Sequence, residues 1–329
     1  MTAFGVEAKK ILVTGSRGKS SVVRLLHAGL NAAGIPTWSR ITGTDPRQLD
    51  PDGERSIERS AGAHVEEMRW WLGQVPAAAG ALVMENSAVT PELQPLAAAW
   101  LRPDVTVLTN VLPDHQEAWG FGERDAVLAL APGLPRGGTV VIPDSLEEHP
   151  LLASLLADRS CRVLTATAEE NADTPYRAAN LGLARTVLEF FGQASNEAVK
   201  AMRELKADRF DFQLRRVAGA EVALAFSAND IQSTRALFDS LGWSVGRTRL
   251  LYNHRADRPG RLQSFRAWIE EVPWREALVT GARPLRRLQR VQYVKLDEKK
   301  GLAALLQEGD RLFGCGNIAG LPREWYREG

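Results

Sequence analysis

Lysine is absent from more than half of this chain: none occurs between Lys19 and Lys200. Any chemistry in that stretch that needs a fixed cation falls to arginine. Cysteine is scarce as well. The two present, Cys161 and Cys315, stand far apart without metal-type spacing. That excludes a disulfide framework and suits two structural thiols in a reducing compartment. Neither sign of charge is in excess, with 41 Lys+Arg against 40 Asp+Glu, so nothing calls for a polyanionic partner such as nucleic acid. No uncharged apolar run approaches the ~18 residues of a membrane-crossing helix. The first ten residues also lack the apolar stretch of a leader. The expectation is a cytoplasmic protein of two domains, since 329 residues exceed the usual size of one.

What is present begins at Ile11-Leu12-Val13-Thr14-Gly15-Ser16-Arg17-Gly18-Lys19-Ser20-Ser21. A short apolar strand runs into a glycine-bracketed loop ending in Lys-Ser, at the head of a helix marked by Val22, Val23, Leu25, Leu26 and Leu30, with Gly34 as its stop. This pattern reads as a phosphate-binding loop. Its amides would surround an anion, Lys19 would reach the β- and γ-phosphates, and the Ser20 hydroxyl would sit on Mg²⁺. The pattern is the short G-x-x-G-K-S, because Val13 stands where the full motif has its first glycine. Its other reading is an ordinary strand–turn–helix with a surface lysine.

Farther along, Ala81–Met84 and Val105–Thr109 are continuous apolar runs ending in Glu85 and Asn110. Such runs suit central strands of a parallel sheet, and polar residues at their ends stand where open α/β sheets bind ligands. Thr37–Asp45 reads as a short strand leading into a polar turn, and strands are also expected at Thr139–Ile142 and Arg162–Leu164. The segment from Asp45 to about Arg59 reads as loop, Ala63–Leu72 as helix, and Arg177–Phe191 as a helix with Asn180 on its first turn. After the polar stretch Glu204–Arg209 a second alternation begins, with strands at Glu221–Phe226, Arg249–Tyr252, Ala277–Thr280, Val291–Leu296 and Arg311–Phe313. Helices fall at Ser233–Leu241 and Gly301–Gln307. The fold class is α/β: a P-loop-type ATPase domain over residues 1–207, then a smaller Rossmann-like α/β domain over 208–329.

Taken together, the motifs resemble those of the Mur ligase superfamily, and within it the poly-γ-glutamate synthase branch. The pieces are Gly15 to Ser20, Thr42-Gly-Thr-Asp45, Glu85, Asn110-Val-Leu-Pro-Asp-His115, Ala228-Asn-Asp230, Asn253-His-Arg-Ala-Asp-Arg258 and Gly314-Cys-Gly-Asn-Ile-Ala-Gly320. The resemblance implies an ATP-dependent amide ligase. A carboxylate takes the γ-phosphoryl group, and an amine attacks the resulting acyl phosphate. The substrate would be glutamate or a γ-glutamyl chain. Alternatives are another small carboxylate, or an ATP-gated subunit of a membrane polymer-synthesis complex with little activity of its own.

The resemblance also implies roles. Lys19, Glu85 and His115 would be catalytic, and Ser20, Glu85 and His115 would hold Mg²⁺ or Mn²⁺. ATP would lie on Gly15, Ser16, Arg17, Gly18, Lys19, Ser20 and Ser21, with Asn180 on the adenine and Arg209 and Asp230 closing from the second domain. Thr42, Thr44, Asp45, Arg255 and Arg258 would meet the substrate. Plainer readings stand beside these: Glu85 as a cap or ion-pair carboxylate, His115 and Asn180 as caps, Arg255 and Arg258 as partners of Asp257. The lysine gap excludes the carbamylated lysine that bridges to the metal in many Mur ligases. The phosphate loop follows the first residues so closely that no UDP-sugar-binding domain is expected before it. The resemblance admits small membrane-embedded partner subunits and a homo-oligomer, so that any hold on the inner face of the membrane would come through partners.

Overall fold

A computed structural model of the chain describes residues 8–43, 45–59, 63–170, 172–228, 230–296 and 301–326. The chain divides into two compact units, Met1–Lys206 and Ala207–Gly329. Each is an α/β layer structure with its own core.

The first unit holds strands β1 (Lys9–Thr14), β2 (Thr37–Ile41), β3 (Arg47–Asp50), β4 (Gly53–Ser56), β5 (Ala81–Glu85), β6 (Val105–Leu108), β7 (Thr139–Pro143) and β8 (Arg162–Ala166). They form one sheet in the order β4-β3-β2-β5-β1-β6-β7-β8. All neighbours from β2 to β8 pair parallel, while β3 and β4 add an antiparallel hairpin at the edge. Every residue of β5 is buried, as its unbroken apolar run requires of a strand covered on both faces. Helices α1 (Lys19–Ala32), α7 (Pro175–Phe190) and α8 (Asn196–Glu204) cover one face over Ile11, Val13, Val83 and Val105. On the other face α2 (Glu67–Leu72) and α3 (Gln94–Leu101) lie over Leu12, Leu82 and Met84. Beyond a short α4 (Gln116–Trp119), helices α5 (Glu123–Leu130) and α6 (Pro150–Asp158) cover Leu108, Val140 and Ile142. Because β1 stands between β5 and β6, its carboxyl end opens where crossovers leave to either side, the position at which such sheets hold ligands.

The hairpin replaces the loop expected up to Arg59. Its inward positions include Arg47, 4% exposed, where an apolar residue would have revealed the strand. That guanidinium is tied across the hairpin to Glu54 at 2.7 Å, and Asp50 Oδ1 closes the turn by accepting from the Asp52 and Gly53 amides. Two other readings are corrected. Helix α7 begins at Pro175, so Asn180 lies on its second turn. The segment expected as helix Gly301–Gln307 forms only a 3₁₀ turn at Ala303–Leu305, too short to offset the cost of nucleating a helix.

The second unit contains β9 (Gln213–Val217), β10 (Ala220–Leu224), α9 (Ile231–Ser240), β11 (Thr248–His254), α10 (Pro259–Glu271), β12 (Glu276–Gly281), β13 (Gln292–Tyr293), β14 (Arg311–Gly316) and α11 (Leu321–Trp325). The sheet order is β13-β12-β11-β14-β10-β9. Its strands pair parallel except β9, which lies antiparallel on β10. One face is filled by Val222, Leu251, Leu278, Leu312 and Trp325. On the other, Phe238, Trp268, Trp274 and Phe313 pack edge to face. Among the described residues of the chain no helix is long and apolar enough to cross a membrane.

Candidate active site

Strand β1 delivers the loop Gly15–Gly18 to the head of α1. The loop is bent by two glycines whose backbones turn to positive φ, +122° at Gly15 and +78° at Gly18. Both positions also lack room. A Cβ on Gly15 would fall 2.3 Å from Thr109 Oγ1, and one on Gly18 would fall 2.8 Å from Asn180 Oδ1. Glycine is therefore required twice over.

The loop is clamped by the segment after β6. The Ser16 amide donates to the Asn110 carbonyl at 3.1 Å and the Arg17 amide to Asn110 Oδ1 at 3.1 Å. In return the Arg17 carbonyl accepts from Thr109 Oγ1 at 2.5 Å and Asn110 Nδ2 at 3.1 Å. Two of the amides expected to face an anion are thus bonded to protein.

Lys19 folds over the loop, its Nζ donating to the carbonyls of Gly15 at 2.7 Å and Ser16 at 3.1 Å. Desolvation lowers its pKa; the charges of Glu85 and Asp114 oppose that shift, and Arg17 adds to it. An ammonium in this setting gains from any anion that enters the loop.

Glu85, the last residue of β5 and 3% exposed, faces the same mouth. Oε2 accepts from Ser20 Oγ at 2.9 Å and from the Thr42 amide at 3.0 Å, and Oε1 accepts from Thr42 Oγ1 at 3.0 Å. Glu85 is thus held by Ser20 and Thr42, and Thr42 orients it. Ser20 and Glu85 present hard oxygen donors, the kind that suits Mg²⁺. Among the described residues no three His, Cys, Asp or Glu side chains cluster so as to hold a metal ion. A divalent ion there would take its remaining ligands from phosphate oxygens and water.

His115 has φ +43° at the head of α4 and makes no side-chain cap bond. Its Nε2 lies 3.5 Å from Asp114 Oδ2. Asp114 is the residue that motif reading passed over. Its other oxygen pairs with Arg17 Nη2 at 2.8 Å, with the carboxylate side chain 7% exposed. Desolvation raises its pKa, but Arg17, His115 and Lys19 together outweigh it and hold the group below the usual aspartate range. The signal in the sequence was its place directly before His115; the pairing with Arg17 comes from the fold.

Asn180 sits with its amide against Gly18, while Thr174 Oγ1 caps α7 by accepting from the Arg177 amide at 3.2 Å. The capping alternative for Asn180 is removed. Ser21 is half-buried in the first turn of α1, and Asp45 lies 3.5 Å from Arg47 Nε. Thr44 lies outside the described residues.

The remaining candidates belong to the second unit. Asp230 caps α9, Oδ1 accepting from the Ser233 amide at 2.7 Å, and the Arg209 amide donates to Asp208 Oδ1 at 2.7 Å. Arg255 makes a two-pronged pair with Asp257 at 2.9 and 2.6 Å, as its plainer reading held. Arg258 precedes α10. Gly314 and Gly316 lie within β14, and just past it Asn317 exchanges bonds with Asn253 at the carboxyl end of β11.

Comparison with known proteins agrees with this architecture. Residues 13–207 match the family model of the Mur ligase middle domain, and residues 211–328 match that of the poly-gamma-glutamate synthase CapB C-terminal domain. PGA synthase CapB of Bacillus subtilis (strain 168) is 27% identical over 344 residues, covering 94% of this chain and 87% of the relative. The capsule biosynthesis protein CapB of Bacillus anthracis is 27% identical over 275 residues, covering 78% of this chain and 59% of that protein. Among solved structures, MurF from Acinetobacter baumannii superposes with a TM-score of 0.69 at 14% identity, over 98% of this chain and 77% of its own. A bifunctional folylpolyglutamate synthase/dihydrofolate synthase, solved with Mn, AMPPNP and L-glutamate bound, does so with a TM-score of 0.67 at 15% identity, over 99% and 90%. The chain belongs to the Mur ligase family of ATP-dependent amide ligases, and its second unit matches the C-terminal domain of poly-γ-glutamate synthase CapB.

Proposed function

We propose that this ligase joins glutamate to a γ-linked glutamyl chain, with ATP activating the acceptor carboxylate as an acyl phosphate. The observation that carries the reading is the convergence of Ser20, Thr42 and Glu85 at the mouth of a lysine-closed phosphate loop. A carboxylate approaching a triphosphate meets like-charge repulsion, so the site must supply cations and donors around the transferred group. Lys19 leaves the carbonyls of Gly15 and Ser16 for phosphate oxygens, and Arg17 adds a second fixed charge from the loop. Asn180, against Gly18, is the candidate contact for the adenine. Bound Mg²⁺, or Mn²⁺, on Ser20, Glu85 and His115 would neutralise phosphate charge. Attack of an amine on the acyl carbon then expels phosphate and leaves the amide. The match to the poly-gamma-glutamate synthase CapB C-terminal domain and the PGA synthase name of the Bacillus subtilis relative support glutamate as substrate. Arg255 and Arg258 are candidate partners for its carboxylates.

The test is release of ADP and phosphate from ATP by the purified chain, with and without glutamate and short γ-linked oligomers, alongside Lys19→Ala and Glu85→Gln. Glutamate-dependent phosphate release, lost in both variants, is the expected result. Formation of AMP and pyrophosphate would sink the reading.

A further inference from the structure

The sequence as a whole is nearly neutral, yet the segment from Gly281 to Leu296 carries Arg283, Arg286, Arg287, Arg290 and Lys295 and no Asp or Glu. All five basic side chains are exposed. At their centre Leu285 is 104% exposed, ahead of Phe121 at 64% and Trp70 at 57% among the large apolar residues. The loop is built, not merely left over. Leu288 is buried, its amide donates to the Tyr293 hydroxyl at 2.9 Å, and the Gln289 amide donates to Glu270 Oε1 at 2.8 Å. Arg266 of α10 donates to the carbonyls of Arg286 and Arg287, and Glu270, the acidic group facing the loop from that helix, is paired with Arg266 at 3.3 Å. Anchored behind, the loop presents Leu285 outward between arginines.

We infer that the loop 283–290 docks on the surface of an anionic lipid bilayer, with Leu285 inserted among the acyl chains and the arginines on lipid phosphates. A fully solvated leucine costs free energy that insertion recovers, and a basic ring supplies the second signal that stable surface binding needs. Arginine charge alone would suit any polyanion. The exposed leucine favours a surface with an apolar interior. The inference stands independently of the substrate assigned above.

The experiment is co-sedimentation of the full chain with phosphatidylcholine vesicles, with and without phosphatidylglycerol, at low and high salt. The wild type is expected on the anionic vesicles only, with binding weakened by salt. Arg286→Gln and Arg287→Gln are each expected to lower the partition roughly five-fold, and Leu285→Ser roughly tenfold. Arg216→Gln, an exposed arginine on β9, is expected to change nothing. ATP binding and circular dichroism should be unaltered in all four variants. Equal binding to both vesicle types, or an Arg216→Gln loss as large as the loop variants', overturns the inference. So does a pattern in which the arginine variants lose γ-linked polyglutamate binding in solution while Leu285→Ser has no effect on vesicles.

Discussion

Asp114 shows how one side chain joins parts of a site that sequence motifs treat separately. It pairs with Arg17 on the phosphate loop and faces His115 on the adjoining turn. Removing it takes away the carboxylate that faces the loop arginine and, through its charge, the buried Lys19. Asp114→Ala is therefore expected to lower kcat/KM for ATP roughly 10²-fold. A double-mutant cycle with Arg17→Ala should be non-additive, and additive losses would show that the pair is not a unit. His27 offers a different kind of test. Its Nδ1 lies 2.9 Å from Ser39 Oγ and its Nε2 3.0 Å from Asn31 Nδ2, an arrangement for the neutral ring. Burial pushes its pKa down to about 4, against a weaker upward pull from Asp50. Between the ordinary histidine value of 6.5 and about 4 the unfolded chain binds the extra proton, so this contribution is full above that window and is lost as pH falls through it. The loss is about 3 kcal/mol in all. In urea melts His27→Gln, which keeps one donor and one acceptor, should flatten the pH dependence in that window; an unchanged slope would assign it elsewhere.

At the scale of elements, the meeting of α7 with the phosphate loop sets the candidate nucleotide site. Gly18→Ala places a methyl group 2.8 Å from Asn180 Oδ1 in a left-handed backbone, at about 1–2 kcal/mol for the backbone alone. The strain falls at the loop, so nucleotide affinity measured by calorimetry should fall more than tenfold. Thermal stability should drop by only a few degrees. A variant that binds ATP normally would remove the loop from the site. The strand and helix bearing this loop were legible because their apolar residues recur at strand and helix spacing, and Gly34, at φ +77°, ends α1 where the sequence placed its stop. The β3–β4 hairpin was not legible, because Arg47 fills an inward position with a charge that Glu54 neutralises only once the strands have paired.

For the whole molecule, two units with separate cores imply separate folding. The fragment Ala207–Gly329 holds all of the second sheet and its apolar filling. Expressed alone it is expected to melt cooperatively, with dispersed amide resonances, and a molten fragment would count against its independence. The sequence by itself determined the α/β class, the glycine-bracketed loop between β1 and α1, and the kinds of side chain available for ligase chemistry. These rest on patterns within a few residues of each other, which propensity and periodicity fix locally. The tertiary structure decided which of those groups meet. Thr42 reaches Glu85 because β2 and β5 are neighbours in the sheet. Asn180 reaches Gly18 because α7 packs on the face that carries α1, and Asp114 reaches Arg17 because β6 lies beside β1. Strand order comes from burying apolar faces across the whole chain, and no local spacing encodes it.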